Sequence, residues 1–469
     1  MSHKPLYAKK RHRWWLWVLI VGVLLLGVWR YYFVFDPQKI IDNSELKDRT
    51  FATEVIEITA PKSGIKAYLM PEKSNPIVSM KFIFANSGSV RDVKKGTANF
   101  VASMLTEGTE SLNSHNFKEK LEEYAISIEY GAGKDDFSGS LLTLKENLPL
   151  ATKLLHETLF ASRMEVEDFV RVKGQILRNL EYLREKPQYR LHKAVRKEIF
   201  GMHPYAYNVS GTTESVKTIE ISDLRAFIND NFVKNSLYIG IAGDITKEKA
   251  ETLIDDVFAG LPEKSEVLEI DSPEIDYSAR NINIEDETLP QVLSAIVAPS
   301  VSRLDRDFYP LYVANYVFGG AGLNSRVNQA AREKEGLTYG AYTSMSLLKR
   351  APQLVGGFST TPANFARMKE IFANEWQKMG NEGISKNELA AAKNYLINSY
   401  NLRFADIGTL AAILASMQRE ELGKDFLQKR NLYIERITLD RVNRAAKEYF
   451  SPEKLIMINM GNMKGNNDE

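Results

Sequence analysis

The chain has 469 residues, 44% of them hydrophobic and 26% charged, with 61 Lys and Arg against 60 Asp and Glu. That length exceeds one ordinary domain, and the mixed composition excludes a disordered, collagen-like or acidic-tail protein. A net charge of +1 gives no electrostatic basis for binding nucleic acid, and the lack of cysteine excludes disulfides and thiolate metal sites.

The first element is apolar. Residues 14–29 (WWLWVLIVGVLLLGVW) are sixteen uncharged positions, and the aromatic run YYFVF comes after Arg30. A helix of that length spans roughly 24 Å, and continuation to Phe35 with Arg30 snorkelling brings it to bilayer thickness. Trp14, Trp15 and Trp17 at one end and Trp29, Tyr31 and Tyr32 at the other form two aromatic belts. Lys4, Lys9, Lys10, Arg11 and Arg13 precede the run, and no small-residue cleavage site lies after it. The expectation is a cytoplasmic tail at 1–13, a transmembrane helix at 14–35 and the bulk of the chain outside.

Strand-like alternation in VSMKFIFANSGSV (78–90) leads into GTANFVASMLTEGT (96–109), with helical patterns further on at 148–160 and 165–185. The charged stretch 183–200 reads as a solvated helix face. Residues 219–244 (IEISDLRAFINDNFVKNSLYIGIAGD) match 437–462 (ITLDRVNRAAKEYFSPEKLIMINMGN) without gaps. In each copy a helix runs to an aromatic, Phe232 or Phe450, and a strand ends eleven residues later at Gly243 or Gly461. This predicts two related α/β halves, 46–262 and 283–469, joined by a charged, Pro-containing linker at 263–282. The second half opens on the strand QVLSAIVAP (291–299) and carries helical patterns at 386–401 and 407–421. Its stretch RFADIGTLAAILASM (403–417) is too short to span a bilayer and reads as a buried helix.

The Gly-Ser turn leading into RDVKKGTANFVASMLTEGT resembles the opening of the pitrilysin or insulinase-type zinc peptidases, close to the mitochondrial processing peptidases. MHPYAYNVSGTTESVKTI (202–219) and YVFGGAGLNSRVNQAAREKEGLTYGAYTS (316–344) extend the resemblance. It implies an α+β fold of two homologous α/β halves of the mitochondrial-processing-peptidase-like type. In that family the first helix reads H-x-x-E-H, two histidines binding zinc and the glutamate activating water. The matching positions here are Asn99, Ala102 and Ser103, and the family's third ligand falls on Asn179. Asparagine is a poor zinc ligand, serine is protonated at neutral pH and alanine offers no base, so neither metal nor catalysis is expected in this half. Glu181 lies about 200° around the helix from Asn179 and is no substitute. His203 falls in a structural motif.

In the second half Arg332 and Tyr339, around Gly336-Leu337, match the pair that in complete enzymes faces the zinc and binds substrate. Guanidinium and phenol are fixed donors suited to a peptide carbonyl, and Gly319, Gly320 and Gly322 would admit an extended peptide close to the backbone. The resemblance thus implies a non-zinc-binding, substrate-binding subunit of a heterodimeric zinc peptidase. It would have no cofactor of its own, a zinc-binding partner of the same family and a peptide substrate. The anchor would place it in a bacterial inner membrane with its bulk in the periplasm. The alternative is a noncatalytic scaffold, like the related core subunits of respiratory complexes.

Overall fold

The computed structural model describes residues 54–264, 270–404 and 406–463. The expected tail and anchor, 1–35, lie outside the described residues. Among the described residues no helix is long and apolar enough to cross a membrane.

The first half runs β1 (Ile56–Thr59), β2 (Lys66–Pro71), β3 (Ile77–Phe84), α1 (Thr97–Met104), α2 (Ser114–Glu123), β4 (Ser127–Ala132), β5 (Phe137–Leu144), α3 (Leu148–Phe160), α4 (Val166–Arg184), α5 (Pro187–Phe200), α6 (Thr213–Thr218), α7 (Ile221–Asn231), β6 (Leu237–Gly243) and α8 (Lys247–Phe258). The second continues with β7 (Arg280–Glu285), β8 (Val292–Pro299), α9 (Phe308–Asn315), β9 (Ala341–Ser346), β10 (Gln353–Thr360), α10 (Phe365–Glu382), α11 (Lys386–Asn398), α12 (Ile407–Arg419), α13 (Phe426–Glu435), α14 (Leu439–Tyr449) and β11 (Ile456–Gly461). One sheet has the order β1-β2-β6-β3-β5-β4 and the other β7-β11-β8-β10-β9. Apart from β1 the two sheets have one topology: a parallel pair, then three antiparallel pairings ending at an edge strand, β4 or β9.

The repeat seen in the sequence has a physical basis at both ends. Phe232 stacks on Phe84 at 4.5 Å, and Phe450 packs on Trp376 at 4.5 Å and Phe318 at 5.1 Å, so each aromatic plugs the core under its own sheet. Gly243 and Gly461 close their strands at φ 120° and 148°, where a side chain is strained. A Cβ there would meet Ile77 O at 2.1 Å or Val292 Cα at 2.8 Å, at the start of the neighbouring strand in each sheet.

The halves exchange helices. From the second half α12 lies on β2, β3 and β6 of the first sheet, burying Leu410, Ala411, Leu414, Ala415 and Met417. Gln418 on its last turn ties the contact, accepting from Ile239 N–H at 2.8 Å and donating to Lys66 O at 3.2 Å. From the first half α5 crosses to β8 and β11. This corrects the reading of 183–200 as only a solvated face: Leu191, Ile199 and Phe200 are buried while Lys193 and Lys197 remain in water. The expected linker is also shorter, because Arg280–Glu285 alternates and pairs in parallel with β11.

A buried ionic cluster joins the halves. The β4–β5 turn carries Asp135 and Asp136. Asp135 pairs with Arg350 at 3.1 Å, both side chains more than nine-tenths buried, and accepts from the Tyr205 hydroxyl and from Lys349 N–H at 2.9 Å. Arg350 also donates to Asn86 Oδ1 at 3.1 Å and Ile270 O at 2.9 Å. Asp136 takes a two-pronged contact from Arg419, at 2.9 and 3.2 Å.

Candidate functional site

The helix that resembles a zinc helix, α1, forms without any metal to hold it. Gly96 enters it at φ 102°, and the Asp92 carboxylate accepts from Gly96 N–H and Ala98 N–H at 2.8 Å each, satisfying donors of its first turn. Burial outweighs those bonds and pushes Asp92 up to about 7. Beside it Lys134 donates to Tyr207 O, and burial together with the nearby Arg196 charge pulls its ammonium down to about 8. Ala98, Phe100 and Val101 are fully buried, and Phe100 stacks on Phe169 of α4 at 4.9 Å.

On this helix Asn99 and Ser103 sit one turn apart, half-buried, with Ala102 buried between them. The Ser103 hydroxyl is turned back onto its own helix, donating to Asn99 O at 3.1 Å. Asn179 is exposed on α4, and neither its side chain nor that of Asn99 has a hydrogen-bond partner among the described residues. The four positions therefore form no polar cluster. They do not fit zinc, and among the described residues no group of three or more His, Asp or Glu could hold a metal ion. Glu181 is exposed. His203 is structural: its Nδ1 accepts from Tyr205 N–H at 3.1 Å and its Nε2 lies 3.0 Å from Asp271 O, a pairing that fixes the Nε2–H tautomer.

In the second half α9 runs into a π turn, Tyr316–Gly320, and after a single helical turn a second π turn spans Gln329–Glu333. Gly319 lies against β9: a Cβ would come within 2.4 Å of Thr343 Oγ1 and 2.6 Å of Thr343 N. Gly320, the last residue of the first turn, and Gly322, in the loop between the turns, are exposed. Arg332 sits in the second π turn, its side chain 34% exposed and 3.5 Å from Glu333. Tyr339 is 85% exposed, on the segment that leads into the edge strand β9.

Sequence reasoning overlooked three features here. Tyr342 and Leu323, both 53% exposed, stand near the glycine loop and on β9 and enlarge its apolar surface. Alternation along AYTSMS could have revealed Tyr342. Asp92 was marked only by its four-residue distance from Gly96. Near the end of α1, buried Glu107 binds Arg171 at 2.6 Å, Ser114 at 2.5 Å and Lys118 at 3.0 Å, and those bonds hold its carboxyl low against the upward pull of burial.

Comparison with known proteins agrees with this geometry. The model of the insulinase family, peptidase family M16, matches residues 70–213, and that of the peptidase M16 inactive domain matches 218–396. The non-peptidase homolog YmxG of Helicobacter pylori is 26% identical over 84% of this chain and 91% of its own length. The mitochondrial-processing peptidase subunit beta of Caenorhabditis elegans is 21% identical over 71% and 73% respectively. The crystal structure of a peptidase M16 inactive domain from Pseudomonas fluorescens superposes with a TM-score of 0.81 at 23% identity, over 87% of this chain and 98% of that one. A protease from Helicobacter pylori gives 0.77 at 16% identity, over 87% and 99%. With the two family models matching successive stretches, 70–213 and 218–396, the chain belongs to the peptidase M16 family as an inactive-type member.

Proposed function

We propose that this chain is the non-zinc-binding, substrate-binding subunit of a heterodimeric zinc peptidase acting on peptides or unfolded protein segments. The observation that carries the reading is an asymmetry. The first half carries Asn99, Ala102, Ser103 and Asn179 where the family resemblance calls for ligands and base, while the second presents Arg332 and an almost fully exposed Tyr339 just ahead of the edge strand β9. A folding role does not account for Tyr339, because at 85% exposure it gives the core almost nothing. Along β9 the Ala341 N–H and O are already paired with the Asn328 side chain and Thr343 O accepts from Asn315, so an extended peptide would be held chiefly by the phenol and guanidinium as donors for its carbonyls. Zinc would come from a partner subunit of the same family, the two chains closing as a clam-shell around the substrate. Residues 14–35 would anchor the chain in a bacterial inner membrane, tail in the cytoplasm and bulk in the periplasm.

The scaffold reading draws support from Arg332 lying near Glu333, which occupies part of its charge locally. The test is pull-down of the full chain from its own membranes, then a chelator-sensitive peptidase assay of the eluate. A partner carrying H-x-x-E-H, with activity only when both chains are present and lowered at least tenfold by Tyr339→Phe without loosening the pair, supports the shared site. Unchanged turnover in Tyr339→Phe sinks it and leaves the scaffold.

A further inference from the structure

The glycine loop has a second face. Behind it lies an open cleft of about 670 Å³, within the range of small-molecule sites, bounded by the two π turns on one side and by α10 and α11 on the other. π turns are rare and gather at functional positions. Both here close by bonds five residues apart, Ala321 N–H to Tyr316 O at 2.8 Å and Lys334 N–H to Gln329 O at 3.3 Å. Tyr316, Val317, Gln329 and Ala330 of these turns line the cleft.

Two observations indicate that the turns have another arrangement within reach. Asn315 Oδ1 and Thr343 Oγ1, on residues 5% and 2% exposed, flank the first turn without hydrogen-bond partners among the described residues. Buried polar groups left so are costly, and a shift of the turn offers them partners. Relaxing a π turn to α removes one residue from the bulge and rotates the downstream backbone by about 100°. Arg332 lies inside the second turn, so such a shift redirects it.

The lining also states what would fit. Arg326 is held by Glu388 at 2.5 and 2.7 Å, and Lys378 by Glu375 at 2.8 Å, so those charges cancel in pairs. Lys334, at the rim, has no ion-pair partner among the described residues and leaves the lining with one positive charge. The rest of the wall is mostly apolar, with Val317, Ala330, Ala391 and Ala392 beside the Tyr316 ring, which stacks on Tyr395 at 5.3 Å, and only Asn324 and Gln329 as uncharged polar members. With both wall carboxylates already paired, the one unpaired lysine matches a single negative charge and repels a cation.

We propose that this cleft is a binding site for a small amphipathic monoanion, one carboxylate or phosphate on an apolar body, whose occupancy sets the conformation of the turns that carry Gly319, Gly320 and Arg332. Binding stands independently of the divided-site reading; only a consequence for peptide turnover rests on that reading.

The test titrates the full chain in lipid nanodiscs, against empty nanodiscs, with 4-phenylbutyrate, its neutral amide and inorganic phosphate. Binding is monitored by ligand-observed magnetic resonance, and the turns by amide hydrogen exchange over residues 316–337. The expected result is saturable binding of 4-phenylbutyrate, at least tenfold weaker for the amide and for phosphate, with slowed exchange in that segment. Lys334→Gln should weaken it about tenfold, and Ala391→Trp, which puts an indole on the wall from an exposed helix position, should abolish it. Equal affinity for the amide overturns the charged head group, and equal affinity for phosphate overturns the apolar body. Binding indifferent to Ala391→Trp places the probe elsewhere and overturns the site, and unchanged exchange on saturation overturns the coupling to the loop.

Discussion

Arg350→Met should show how much the contact between the halves depends on one buried cation. Its guanidinium side chain is 8% exposed and bonds Asp135, Asn86 and Ile270 O, while the Asp135 side chain is 9% exposed. Methionine keeps most of the apolar stem and removes the charge, leaving the Asp135 carboxylate with only the Tyr205 hydroxyl and Lys349 N–H. Breaking a buried pair from one side costs about 3–5 kcal/mol, because the surviving charge stays desolvated. Unfolding entropy of about 2.1 cal/mol/K per residue over roughly 400 residues gives roughly 0.8 kcal/mol/K, so the melting temperature should fall by about 4–6 °C. Scanning calorimetry reads this directly, with Glu333→Gln as the control. That control removes a contact of 3.5 Å between exposed partners, which should be worth less than about 0.5 kcal/mol and less than about 1 °C. A shift for Arg350→Met no larger than the control's would refute the assignment of the Asp135–Arg350 cluster as the tie between the halves.

Glu388 provides a pH test. Its contact with Arg326 depresses the carboxyl to about 2, so the pair's stabilisation is present above the ordinary value near 4.5 and is lost as pH falls toward 2. The stability difference between the parent and Glu388→Gln, measured by urea midpoints, should be largest above pH 4.5 and vanish by pH 2; a difference constant with pH contradicts the assignment. Gly319→Ala places a methyl 2.4 Å from Thr343 Oγ1 and should cost about 1–3 kcal/mol in chemical unfolding, whereas Gly322→Ala meets no neighbour within 4 Å and pays only for its φ of 59°. If the two cost the same, Gly319 is not a close-approach position. Restoring Asn99→His, Ala102→Glu, Ser103→His and Asn179→Glu together should give one equivalent of bound zinc by metal analysis, while the parent binds none; a metal-free quadruple variant means that α1 and α4 no longer hold the ligand geometry.

The repeat was legible because it lies in local features: an aromatic, a turn and a glycine whose φ no other residue adopts easily. The ionic cluster was not. Asp135 and Arg350 are 215 positions apart, and the run GKDDF reads as an ordinary hairpin turn. Helix α5 was misjudged because charge dominates its composition, while its buried contacts reduce to Leu191, Ile199 and Phe200. Strand β7 hid in the linker because its alternation is of Asn with Ile among charged neighbours, and its pairing with β11 is supplied from a distant part of the chain. The π turns have no residue signature; in the first, Gly319 lets the backbone sit close against Thr343.

Persistence of a zinc-helix frame is weak evidence of a retained metal function, because the frame stands on other supports. Asp92 satisfies the first turn of α1, the Phe100–Phe169 stack fixes the helix on α4, and Ala98 and Val101 fill the core beneath it. None of these contacts involves Asn99, Ser103 or Asn179, so the fold of α1 does not depend on which side chains stand at those positions. The argument runs the other way for the second half. Tyr339 is 85% exposed and strand pairing begins only at Ala341, so the fold would stand without its side chain, whereas the Arg332 side chain, 34% exposed, is largely packed in its turn. Folding therefore explains the helix and does not explain the exposed Tyr339, which is the side chain to which the proposed peptide-binding role is tied.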